Sequence, residues 1–72
     1  MTKKTLKQLS TATKNDASGV LVITLDRTNS WEQPYVVTVK RNDHFLESFH
    51  IKTEVEALYE FISQLRRHGF IS

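Results

Sequence analysis

The 72-residue chain contains no cysteine, only two glycines and a single proline. The missing cysteine removes disulfide frameworks, thiolate metal sites and cysteine nucleophiles together; it fits a reducing compartment, with the cytoplasm as the default assignment. Two glycines cannot build a phosphate-cradling loop, and no serine stands in a Gly-x-Ser-x-Gly setting. No asparagine begins an Asn-x-Ser/Thr triplet, so the N-glycosylation signal is absent too. No apolar run approaches the roughly 20 residues needed to cross a bilayer. The opening MTKKTLKQLSTATK carries lysines but no apolar stretch of signal-peptide length. The expectation is a chain that does not engage a membrane.

Acids are missing from the first fifteen residues, where Lys3, Lys4, Lys7 and Lys14 supply four of the ten cations. From Asp16 onward six cations face eight acids, a net of −2. The overall +2 therefore describes a basic tail on a mildly acidic body, and bulk charge alone does not argue for nucleic acid. Residues 1–17 offer only Leu6, Leu9 and two alanines for burial, which predicts a flexible basic tail with at most a short helical turn at Leu6/Leu9. Residues 18–72 form the expected single small domain.

Within that domain VLVITL, residues 20–25, is an unbroken β-branched and aliphatic run and reads as strand one. DRTNSWEQ is turn chemistry, and Pro34 opens a second strand at the position where its missing amide is tolerated. A third strand covers residues 44–51. Placing Arg41 opposite Phe45 across an Asn42-Asp43-His44 loop puts Tyr35, Val37 and Val39 on one face with Phe45, Phe49 and Ile51, at the cost of including Glu47. A two-residue loop would instead set Phe45 opposite Lys40.

KTEVEALYEFISQLRRHGF predicts a helix: Thr53 and Glu56 make a capping box, Glu54 and Glu56 sit at the positive end of its dipole, and Arg66, Arg67 and His68 at the negative end. Val55, Leu58, Tyr59, Ile62 and Leu65, widened by Phe61, predict the face that packs on the sheet, which would make Leu58→Ala cost about 2–5 kcal/mol. The expected fold is α+β: a three-stranded antiparallel β-meander followed by one C-terminal α-helix packed on one sheet face (βββα). Strand one is apolar on both sides, which suggests a cover for its second face, either the Leu6/Leu9 segment or strand one of another copy.

No residue is assigned to catalysis, metal or cofactor binding. His44 and His50 would stand about 20 Å apart on one strand, His68 belongs to a helix end, and the glutamates of the helix have capping or solvent roles. Two binding surfaces remain. A helix of about 15 residues spans roughly 23 Å against about 26 Å for an eight-residue strand. Arg66, Arg67 and His68 should therefore return to the pole holding Lys40, Arg41, His44 and the tail with Lys14, a candidate anion or nucleic-acid contact. Trp31 in its polar loop, with Tyr35, Val20 and Val22, is the candidate protein contact.

FHIKTEVEAL, residues 49–58, resembles the strand-to-helix passage of the arm-type DNA-binding domains of phage integrases, in which three strands precede a helix and the exposed sheet face reads DNA. The similarity is confined to that junction. The open face here would carry Val36, Thr38, Lys40, Leu46, Ser48 and His50, which is poor in cations, and the family is not assigned. The sequence favours a small non-enzymatic binding protein, a regulator or inhibitor working through a protein–protein interface. Its alternative is a nucleic-acid-binding module using the basic pole, and a homodimer through strand one is a third reading.

Overall fold

The computed structural model describes residues 5–71. Four antiparallel strands, β1 (Thr5–Asp16), β2 (Gly19–Thr28), β3 (Tyr35–Arg41) and β4 (His44–Ile51), follow one another in a meander of order β1-β2-β3-β4, and α1 (Glu54–Arg67) crosses one face. The α+β class with a C-terminal helix on the sheet is as expected, but the sheet has four strands rather than three. The additional strand is the segment read as a tail. Its threonines favour extended backbone, and its apolar content is low because an edge strand needs little of it. Leu9 and Ala12 are the β1 side chains that pack against the core, while the backbone pairs with β2 from Thr5↔Thr28 to Asp16↔Gly19. The part of the expected tail that includes Lys3 and Lys4 lies outside the described residues.

β2 is consequently a central strand, paired with β1 on one edge and β3 on the other. Leu21, Ile23 and Leu25 point to the helix and are almost completely buried, while Val20 and Val22 turn to the opposite face, exposed and half-buried respectively. Strand one thus has both edges paired, and Val20 and Val22 lie on the face for which the sequence suggested a cover.

The β3–β4 hairpin combines both sequence registers. Tyr35↔Ile51, Val37↔Phe49 and Val39↔Glu47 are the preferred pairs, yet next to the bend Lys40 pairs with Phe45 and Arg41 with His44. Asn42 and Asp43, at φ 51° and 67°, make a two-residue turn, and such turns are favoured because their backbone twist matches that of the strands. A bulge between Val39 and Lys40 absorbs the one-residue difference. Phe45 is thereby placed opposite Lys40 and is 61% exposed instead of joining the core. Asn42 also ties the two bends together: its Oδ1 accepts from Val20 N at 2.9 Å and its Nδ2 donates to Ser18 O at 3.3 Å. A Cβ on Gly19, whose φ is 116°, would collide with that side chain.

The helix begins at its expected N-cap, with Thr53 Oγ1 accepting from Glu56 N at 3.3 Å and donating to the Glu56 carboxylate at 2.7 Å. It ends with Gly69 at φ 79° and Phe70 N donating to Leu65 O at 2.8 Å, so that Phe70 folds back on the core. Its rotation differs from the expectation. Ala57, Phe61 and Gln64 are buried against β2 and β3, with Leu65 partly buried beside them. Val55, Leu58, Tyr59 and Ile62 stand 63, 45, 69 and 40% exposed. Alanine is what decides this: a methyl at position 57 lets the helix backbone approach the sheet closely enough for Phe61 to fill the space between layers. Among the described residues no helix is long and apolar enough to cross a membrane.

Candidate functional site

The topology does gather the basic pole, in a modified form. Lys14, Leu21, Arg41 and His44 stand in one row across the four strands. The helix returns to the same end, where Lys14 Nζ donates to His68 O at 3.0 Å and lies 6.0 Å from the Phe70 ring centroid. The cations there have partners within the chain. Arg41 Nη1 contacts Asp16 Oδ1 at 3.0 Å, Lys14 satisfies a carbonyl at the helix end, and Arg67 Nη1 stands 3.9 Å from Glu47 Oε2. The last contact accounts for Glu47 on the inner face of β4: at a sheet edge it can lean out to the helix terminus. Lys40 alternates onto the face away from α1, and Arg66 is exposed on the helix. The six residues expected to form one anion site are thus shared between two faces.

The titration of Asp16 is displaced downward. The Ser18 amide donating at 2.8 Å is the leading cause and the Arg41 guanidinium at 3.0 Å the second; both favour the carboxylate and hold its pKa below the ordinary 3.8. A depressed carboxylate contributes to the folded state above its ordinary value and loses that contribution as pH falls through the lowered one. Titration followed by NMR is expected to give an Asp16 midpoint below 3.8, moved only part of the way back in Arg41→Ala because the Ser18 bond remains; a midpoint above 3.8 would contradict the turn geometry.

At the opposite pole Trp31 is 93% exposed and lines a shallow open hollow with Glu32, Gln33, Lys52 and Thr53. It is not tucked against the sheet. Tyr35 does not share that exposure: it packs against the core, with the Arg27 guanidinium 5.9 Å from its ring centroid. Thr28, buried, closes the loop by donating from N (2.7 Å) and Oγ1 (3.2 Å) to Pro34 O. Trp31, Tyr35, Val20 and Val22 are therefore distributed over the loop tip, the inner face and the outer face, and form no single patch.

The surface that does form a patch lies on the helix. Val55, Leu58, Tyr59 and Ile62 line a shallow apolar depression of about 210 Å³. On the other flank Glu56, Glu60, Ser63 and Arg67 continue the polar surface, and Gln64 Nε2 donates to Glu60 Oε2 at 2.8 Å. Sequence reasoning found these four apolar residues but assigned them to the core. The signal for their true placement is the surplus: Val55, Ala57, Leu58, Tyr59, Phe61, Ile62 and Leu65 are more apolar residues than one face can bury.

Among the described residues no group of three or more His, Asp or Glu side chains is placed to hold a metal ion. No family model matches the chain, and no curated protein or solved structure matches it.

Proposed function

We propose that the chain is a non-catalytic protein-interaction module, a regulator or inhibitor, whose docking surface is the outer face of α1 and whose partner presents an amphipathic helix. The observation that carries this reading is the exposed row Val55, Leu58, Tyr59 and Ile62, which together line one apolar depression. Contiguous exposed apolar surface on a small domain marks an interaction site more often than chance. The chemistry of the partner follows from the spacing. Val55, Leu58, Ile62 and Leu65 recur at intervals of three, four and three residues, with β-branched residues and leucine in the alternating positions of a heptad seam. Such a seam is filled by the knobs of another helix rather than by an extended strand.

The basic pole supports a second reading, a nucleic-acid-binding module, because Lys14, Arg41, His44 and the helix end converge there. The internal partners of Lys14, Arg41 and Arg67 count against it, since a phosphate contact by any of these three would first have to displace a carboxylate or a carbonyl. One affinity-capture experiment separates the two. Nuclease-treated native lysate is passed over the wild-type chain, a Tyr59→Asp variant and a Lys40→Ala/Arg41→Ala variant. A protein retained by the wild type and by the basic-pole variant, and lost by Tyr59→Asp, is the expected result. Retention indifferent to Tyr59, or binding to DNA that falls steeply with salt and needs Lys40 and Arg41, would replace this reading with the second.

A further inference from the structure

Resting on that helix-face reading, we infer that the partner is a second copy of this chain, docked helix to helix in antiparallel fashion about a two-fold axis. The seam is self-complementary. Its spacing reads the same from either end, so a two-fold axis midway between Leu58 and Ile62 sets Leu58 level with Ile62 of the second copy and Val55 level with its Leu65. Each such layer then joins a β-branched side chain to a leucine. An isologous contact needs this property, because one patch must fit itself.

Charge selects the antiparallel orientation. The first turn of α1 carries Glu54 and Glu56, the last turn Arg66 and Arg67. Antiparallel docking brings each acidic, dipole-positive end to the height of the basic, dipole-negative end of the other helix. Parallel docking would align like ends. Tyr59, the most exposed of the four at 69%, flanks the seam as the amphipathic aromatic that interfaces favour. The sheet leaves Val55, Leu58 and Ile62 open, since α1 lies against β2, β3 and β4 and buries Ala57, Phe61 and Gln64, with Leu65 shared between the core and the end of the seam.

The test is light scattering on the full chain over a concentration series, with circular dichroism confirming the fold of each variant. The wild type should rise from 8.4 kDa toward twice that mass. Ile62→Asp should stay monomeric with unchanged helicity. Leu58→Asp, at the position level with Ile62 of the second copy, should likewise stay monomeric with unchanged helicity. A wild type that is monomeric throughout, or a dimer that survives Ile62→Asp or Leu58→Asp, overturns the inference. A monomeric wild type that still captures a Tyr59-dependent protein leaves the proposed function standing with a different partner; loss of both removes the docking face altogether.

Discussion

Phe61→Ala is expected to cost about 3–5 kcal/mol, while Leu58→Ala, at protein concentrations too low for association, should cost about 1 kcal/mol or less. Phe61 is buried between helix and sheet with Leu21, Ile23, Leu25, Val37 and Val39, and its removal leaves a void that the β-branched side chains of the sheet cannot relax to fill. Leu58 keeps 45% of its surface in water and lies outside the buried cluster, so truncation removes less burial and opens no enclosed cavity. Because a domain of this size has about 5 kcal/mol in hand, the first variant should be largely unfolded and the second nearly native. Chemical denaturation at low micromolar concentration measures both. Equal losses, or a larger one at Leu58, would mean that the helix is rotated from the orientation described.

Removal of residues 1–16 should have an effect as large. Without β1 the backbone of β2 loses one of its two neighbours, the inner side chains Leu21, Ile23 and Leu25 lose the cover of Leu9 and Ala12, and the helix end loses the Lys14 bond to His68 O. Each paired residue contributes modestly, but together they exceed what the remaining three strands can offset. The expected result is loss of the cooperative thermal transition. A truncated chain that melts as the whole one does would restore the view of this segment as a tail.

The sequence was most legible where a local rule had no competitor. Thr53 with Glu56, Gly69 followed by Phe70, and the unbroken VLVITL run each admit one structural outcome, and each has it. β1 escaped because its stabilisation is not in its own side chains: backbone pairing with β2 is invisible to composition, and an edge strand that faces water reads like a solvated segment. The hairpin escaped in part because two-residue turn chemistry and face alternation demand registers one residue apart, and a bulge satisfies both. The helix face was misassigned because a count of apolar residues favours the bulkier row, whereas close approach to a sheet favours the row with alanine in it.

The same misassignment located the candidate site. Side chains that look like core and stand in water are what a docking surface looks like from sequence. Of the residues first singled out for binding, Lys14, Arg41 and His68 are engaged in holding the fold's basic end together. Trp31 remains exposed at the far pole, beside Thr53 at the start of the helix.

The most direct measurement is an isotope-filtered NMR experiment on a mixture of carbon-13-labelled and unlabelled chains. The account predicts contacts from the Phe61 ring to the sheet methyl groups within one chain, and contacts between Leu58 and Ile62 methyl groups across two chains. Leu58 methyl contacts to Ile23 or Val37 of its own chain, with none crossing between chains, would contradict it.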